Sequence, residues 1–483
     1  MEVKQELAAS ETIKWKILIV LLAAIFMSLV GVSIVNVALP SIQGSLNATQ
    51  SDIQWVLSGY ALTFGVILVS AGRAGDIMGR GGLFLIGTAI FTGASIAAGL
   101  APDANSLNVA RFIQGFGSGL LNPQGVGMIQ QYFRGAERGR AFGYFGTMVG
   151  FSVAVGPVIG GLLIKFGGAD LGWRLTFLVN VPIGILTLAL GYMWFPRPLI
   201  HKPRATNNSK KSTGLSSLDP IGSVLLAIAV LAVLFPFVES EQNPYMWILL
   251  PISIFLLYMW VHWERFYAKL GYSPMVNLNI FSTKSYSNGI IIMSLYFLGM
   301  TSIWVLVALY VQYGAGLSAF ATSLVGIPSA LLSAYAADWS GRRVMDYGRK
   351  IVIAGLGMAM LGLLLSIVFI FTHEYFGTSI WWLLLSLGIL GIGQGSVISP
   401  NQALTLADVP IEYAGSSGAI MQTGQRIGSS IGIAMITALV FAVLSSYNWS
   451  TAIAVGFAVI ILVMMLALAV AVKDLNDRKA NKK

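Results

Sequence analysis

A run of about twenty apolar residues is enough to carry a helix through bilayer hydrocarbon, where no open backbone can be satisfied. This chain repeats such runs along its whole length. Fourteen segments read as spanning helices, at 15–39, 53–72, 82–101, 107–131, 140–164, 173–194, 220–240, 246–263, 287–313, 318–338, 351–372, 380–407, 415–445 and 449–472. None shows the alternating pattern of a membrane β-strand. With 56% hydrophobic and 10% charged residues, against about 25% charged in soluble domains, the chain is an all-α integral membrane protein. It contains no cysteine, and His201, His262 and His373 are scattered, so no metal site is expected. The first run is too long for a signal-peptide core and is expected to stay in the mature protein.

The net charge of +10 would suggest nucleic acid in a soluble protein, but its placement points to the membrane instead. With the N-terminus inside, inward segments carry 25 Lys or Arg and outward segments two, Lys165 and Arg174. Arg111 and Arg426 lie within spans. Both termini are therefore expected in the cytoplasm, with no nucleic-acid partner.

The spans fall into groups of six, two and six. Residues 1–195 are expected to form an N-terminal six-helix bundle and 196–219 a cytoplasmic linker. Residues 220–286 hold two inserted helices and a second linker, 287–472 a C-terminal six-helix bundle, and 473–483 a cytoplasmic tail. The two sixes share features. Gly115-Phe-Gly-Ser-Gly119 with Asn122-Pro123-Gln124 in helix 4 parallels Gly391-Ile-Gly-Gln-Gly395 with Ser399-Pro400-Asn401 in helix 12. Gly79-Arg80 after helix 2 parallels Gly341-Arg342-Arg343 or Gly348-Arg349 after helix 10. Parallel repeats of this kind are a transporter architecture, with substrate held between the halves near the midplane.

Several motifs lie in order on these helices. The loop after helix 2 reads Gly72-Arg-Ala-Gly-Asp76-Ile-Met-Gly79-Arg80, where Asp76 can face a helix N-terminus or an arginine. Helix 5 carries Gly156-Pro157-Val-Ile-Gly160-Gly161, which allows close helix contact and a bend. The first of these resembles the signature loop of the major facilitator superfamily, and Val109-Ala-Arg111-Phe-Ile-Gln114-Gly115 resembles its helix-4 arginine motif. Gly156 to Gly161 resembles its antiporter motif. Val35-Asn36-Val-Ala-Leu-Pro40 and Gly172-Trp173-Arg174 with Asn180-Val-Pro182 resemble motifs of the fourteen-span drug:proton antiporters. The resemblance implies a major facilitator architecture of two six-helix bundles with two inserted helices, rocking to export drugs. It assigns coupling or gating to Asp76, Arg80, Arg111, Arg138, Arg140, Gly156, Pro157, Gly160 and Gly161. Two departures stand out: Ile77 and Gly81 replace basic residues of the signature loop, and Gly31 stands where many relatives carry a helix-1 aspartate tied to proton coupling or cation recognition.

No carboxylate falls deep in a span. Asp52, Glu239, Glu241 and Glu374 lie at outer ends, and Asp76, Asp338, Asp408 and Glu412 at inner ends. Arg426 lies roughly 18 Å into helix 13 at 1.5 Å per residue, so it is expected to face a polar interior without an obvious protein partner. Arg111 lies nearer the outer surface and is expected to snorkel. Asn36, Gln114, Asn122, Gln124, Gln394, Asn401 and Gln422 are amides within spans, which either line a route or tie helices together. Trp304 offers an aromatic face at depth, for substrate or for packing. With Arg426, all of these except Asn122 are the expected substrate-binding residues.

The expected function is secondary-active export of amphipathic or hydrophobic compounds by drug:proton antiport. The alternative is export of a lipid or specific metabolite without a helix-1 aspartate. There is no Walker A loop, so the proton gradient is the expected energy source and no cofactor is needed. Carboxylates and histidines do not cluster as an enzyme site requires. The expected setting is a monomer in a bacterial inner membrane, with the lipid bilayer and a small amphipathic substrate as partners.

Overall fold

A computed structural model describes residues 2–200, 218–239, 244–317 and 319–480. Among them are fourteen α-helices of fifteen residues or more: α1 Glu2–Leu46, α2 Gln50–Met78, α3 Arg80–Gly99, α4 Ala104–Tyr132, α5 Gly135–Leu178, α6 Asn180–Trp194, α7 Pro220–Leu234, α8 Leu249–Lys269, α9 Lys284–Leu309, α10 Ala319–Tyr347, α11 Arg349–Phe376, α12 Leu383–Thr405, α13 Ala414–Leu444 and α14 Trp449–Ala480. Eleven segments are long and apolar enough to cross a membrane. The expected spans that fall short are α4, α7 and α10. α7 has only 15 residues. α4 carries the Gly115 to Gly119 series and several amides, and is buried along most of its length. A helix shielded by its neighbours has no lipid to satisfy and need not be apolar all round. Most of the expected linker, 201–217, lies outside the described residues, as do Glu241 and the side chain of Glu239.

The chain forms two compact units. Unit 1 comprises Met1–Phe133, Val155–Ile280 and Val409–Thr423, and unit 2 comprises Arg134–Ala154, Phe281–Asp408 and Gly424–Lys483. Within unit 1, α4 packs on α1, α2 and α3, while α6 packs on α1 and α3. Within unit 2, α12 packs on α9, α10 and α11, while α14 packs on α9 and α11. Each pairing of the first set recurs in the second eight helices later, so the repeat read from the sequence is a repeat of packing.

Glycine fixes that packing. In α4, a side-chain carbon at Gly115 would lie 2.5 Å from the Tyr60 carbonyl oxygen on α2, and one at Gly119 3.0 Å from that of Phe64. One at the intervening Gly117 would lie 2.6 Å from the Phe91 nitrogen on α3. In α12, Gly391 and Gly395 meet the Ser329 and Ser333 carbonyls of α10, and Gly393 meets the Ala359 nitrogen of α11 at 2.5 Å. Alternate glycines thus seat one helix against two neighbours at backbone distance. Of the two candidates for the second-half turn, Gly348-Arg349 matches Gly79-Arg80. Both glycines have positive φ, 110° and 54°, and each precedes an arginine that opens a helix.

Unit 1 also holds the inserted helices, with α7 packed on α2 and on α8. α5 kinks at Gly168, where φ is 72°, and its helical path continues beyond the kink through the expected outer loop to Leu178. The last helix runs to Ala480, carrying Asp474 within it rather than in a tail.

Candidate functional site

Asp76 lies near the end of α2, and its side chain is 1% exposed. Its Oδ1 accepts from Arg80 Nη2 at 2.7 Å and Nε at 3.1 Å, and from the Gly415 backbone N–H at 2.8 Å. Its Oδ2 accepts from the Ser416 backbone N–H and hydroxyl, both at 2.9 Å. Gly415 and Ser416 are in the first turn of α13, where unsatisfied N–H groups and the helix dipole favour an anion. Arg80 extends the lock, donating to Gln131 Oε1 at 2.6 Å and to the Ile411 carbonyl at 2.7 Å. A cavity of about 280 Å³ opens beside these groups. Gln124 ties α4 to the same corner, donating to the Ala71 carbonyl at 2.7 Å. Both kinds of partner expected for Asp76, a helix N-terminus and an arginine, are observed, the arginine being Arg80. Arg138 instead borders a unit 2 cavity with Asp408, and Arg140 is exposed.

Arg111 is 1% exposed, so it does not snorkel. Its Nε donates to the Val56 carbonyl at 2.7 Å, and its Nη1 to Gln114 Oε1 at 2.5 Å and the Gly31 carbonyl at 3.5 Å. The guanidinium lies 4.5 Å over the Tyr60 ring. Gln114 passes the network to Ser95 on α3 at 2.7 Å. Four helices converge on one cation, whose charge is met by carbonyl and amide oxygens and by an aromatic face. One turn deeper, Ser28, Tyr60, Ser118 and Asn122 share a hydroxyl cluster, with Ser28 Oγ 2.6 Å from Ser118 Oγ and Tyr60 donating to Ser118 at 2.7 Å.

The antiporter-like motif in α5 packs on α1. Gly156 abuts Ser33, and a side-chain carbon at Gly160 would lie 2.9 Å from Ile34 Cγ1. Gly161 has open space, and Pro157 is half-buried. Asn36 is exposed, between the apolar neighbours Val35 and Val37 of α1. An amide at such a position suits water better than hydrocarbon.

In unit 2, Arg349 is 1% exposed and pairs with Asp474 at 2.6 Å. Asp474 also accepts from Arg478 at 2.9 Å and Asn288 at 3.0 Å. Asn401 accepts from Arg349 and donates to the Gly289 carbonyl at 3.0 Å. Asn401 thus belongs to a buried ion-pair network. Sequence reading does not single out Arg349 or Asp474, because both lie at the inner ends of apolar runs; the Gly348-Arg349 repeat is the available signal. Gln394 donates to Met300 Sδ at 3.4 Å, and Trp304 is half-buried with its ring 3.5 Å from a side-chain carbon placed at Gly326. Gln422 and Arg426 are half-buried. Arg426 is not without a partner, contrary to expectation.

The sequence model of the Major Facilitator Superfamily matches residues 21–433 and 289–483. The chain belongs to this superfamily. It is therefore a multi-pass membrane transporter. The chain is 30% identical over 437 residues to a probable actinorhodin transporter of Streptomyces coelicolor, covering 90% of this chain and 73% of the relative. It is 30% identical to the multidrug resistance protein Stp of Mycobacterium tuberculosis, covering 87% and 75%. It is 26% identical to the riboflavin transporter RibZ of Clostridioides difficile, covering 90% of each. Among solved structures, the human organic anion transporter MFSD10 shares the fold at a TM-score of 0.67 and 12% identity, covering 95% of this chain and 99% of that one. The proton:xylose symporter XylE does so at 0.62 and 15%, covering 94% and 95%.

Proposed function

We propose that this transporter is a secondary-active exporter of amphipathic or hydrophobic compounds, driven by proton antiport through alternating access. The observation that carries the reading is the Asp76 lock. A carboxylate held by the first turn of a helix more than 330 residues away is a contact that can be made in one conformation and broken in another. The names of relatives, which include a multidrug resistance protein and an antibiotic transporter, support export of such compounds. Two six-helix bundles joined through the inserted pair, fourteen spans in all, and a bacterial inner-membrane monomer with both termini cytoplasmic complete the proposal. No cofactor is invoked. Within unit 1, the exposed amide of Asn36 and the half-buried Gln422 are the proposed substrate-lining groups that best suit an amphipathic ligand.

Cells carrying the protein are expected to accumulate less of a lipophilic dye than cells without it, and an uncoupler should abolish the difference. Extrusion that survives the uncoupler would remove the antiport step. A second reading, export of one lipid or metabolite, is favoured by Gly31, which leaves that position of α1 without the carboxylate many relatives carry. Unchanged accumulation across a broad dye panel would select it.

Orientation has its own test, since the wild-type chain has no cysteine. A Ser212→Cys variant is expected to resist a membrane-impermeant maleimide in intact cells and to react in inverted vesicles. Labelling of intact cells would reverse the assigned orientation.

A further inference from the structure

Two carboxylates of unit 1, Asp219 and Glu264, take no part in the Asp76 lock. Asp219 caps α7, its Oδ1 accepting from the Gly222 N–H at 3.0 Å and from Trp263 Nε1 at 2.9 Å. Glu264 projects from α8, its Oε2 accepting from the Val276 N–H at 3.3 Å. The side chains are 0% and 1% exposed. The remaining oxygens, Asp219 Oδ2 and Glu264 Oε1, are buried and have no hydrogen-bond partner among the described residues. They border one small space: a side-chain carbon at Gly222 would meet Asp219 Oδ2 and lie 2.9 Å from Glu264 Oε1. Two ionised carboxylates facing each other out of water repel and lose their hydration together.

A second observation comes from α2. Arg73, also 1% exposed, donates through Nη2 to Ser273, while its Nε and Nη1 have no partner among the described residues. It stands within electrostatic reach of Glu264, and also of Asp76 and Glu412. Trp260, 7% exposed, is turned toward Glu264 with its indole N–H lacking a fully formed hydrogen bond. The groups facing the pair are therefore Arg73 from α2, Trp260, Trp263 and Tyr267 from α8, and the backbone N–H groups of Gly222 and Val276. Tyr272 stacks on Tyr267 at 4.9 Å, and Tyr413 reaches Arg73. Arg73 is the single cation among them. It balances one carboxylate, and the second is uncharged only with a proton on it.

We infer that Glu264 Oε1, facing the buried Asp219 Oδ2 across Gly222, is a proton-binding site in this conformation. Loss of the proton leaves two buried negative charges against one cation, and the unpartnered Nε and Nη1 of Arg73 are the donors that can turn toward the pair. Arg73 lies three residues before Asp76, so a move of its guanidinium from Ser273 toward the pair bears on the signature loop. The proton site rests on the geometry alone; its link to export rests on the antiport reading above.

The test is infrared difference spectroscopy of the purified protein as pH is raised, following the carbonyl stretch of protonated carboxyl groups. Wild type is expected to show a band that is present at neutral pH and lost in alkali. Glu264→Gln, which mimics the protonated form in shape, is expected to abolish the titration. Asp219→Asn is expected to move it to lower pH, since the repelling charge is gone. A titration unchanged in both variants would overturn the site, as would the absence of any protonated carboxyl band at neutral pH in wild type. Transport by the same variants separates the two claims. Glu264→Gln is expected to lose the pH dependence of export; a wild-type pH profile in that variant overturns the link to the signature loop. Uncoupler-insensitive export by wild type with the titrating band present would instead remove antiport and support the proton site.

Discussion

Asp76→Asn is expected to slow transport about tenfold or more while the protein remains in the membrane and binds substrate almost as tightly as before. The carboxylate accepts from the Arg80 side chain, two backbone N–H groups and the Ser416 hydroxyl, all at 2.7 to 3.1 Å. An asparagine offers one acceptor oxygen and turns an N–H₂ donor toward N–H groups that also donate. Hydrogen bonds to a charged group are each worth about 1.5–3 kcal/mol, and the helix N-terminus adds roughly 0.3–1 kcal/mol for an anion. Losing about half of this set shifts the balance between conformations by a few kcal/mol, enough to change a rate by one or two powers of ten. Arg80 keeps Gln131 and the Ile411 carbonyl, so the corner loosens without losing its buried cation's other partners. Dye uptake into inverted vesicles measures the rate, and quenching by bound substrate measures affinity. Equal losses in both would move Asp76 from the gate to the substrate site.

How far the sequence could be read depended on the kind of force involved. Lipid imposes one rule on every span, so the apolar runs located the helices; α4 escapes the apolar criterion because most of its length is buried against its neighbours. The alternate glycines of α4 and α12 were legible as a repeat because backbone contact tolerates no side chain. The partner of Asp76 was legible as a class, an anion seeking N–H groups, though its identity as Gly415 and Ser416 was not. Depth was harder. Distance along the helix predicts a snorkelling Arg111, but the Val56 and Gly31 carbonyls that receive it belong to other helices. Arg426 showed the converse, being half-buried where distance alone suggested the interior. Asp474 and Glu264 lie just past the ends of the apolar runs and Asp219 caps a helix, places where solvation is the default reading of a charge; their burial is a tertiary fact that local sequence does not carry.

Arg111→Ala is expected to reduce folded protein sharply, because it empties the meeting point of four helices. The Val56 carbonyl and Gln114 lose hydrogen bonds of 2.7 and 2.5 Å, and the Tyr60 ring loses the cation above it. At about 1.5–3 kcal/mol for each charge-assisted bond, with a cavity in addition, the cost is a large part of the 5–15 kcal/mol that typically holds a domain together. Arg111→Lys restores the charge but not the fork, so it is expected to recover part of the yield. The same arginine decides what an α1 aspartate can do. A side-chain carbon at Gly31 would lie 3.1 Å from Phe91 Cζ and 3.5 Å from Asn180 Nδ2, and Arg111 Nη1 already reaches the Gly31 carbonyl at 3.5 Å. Gly31→Asp is therefore expected to fold with a small shift of Phe91 and to be neutralised by Arg111, gaining little affinity for lipophilic cations. In a Gly31→Asp/Arg111→Lys variant the shorter, more compact cation neutralises the carboxylate less completely, and cation affinity is expected to rise. Non-additivity between neighbours this close is the normal result. Cation transport gained in full by Gly31→Asp alone would show that Arg111 does not reach the new carboxylate, and would hand the charge at that position to the substrate.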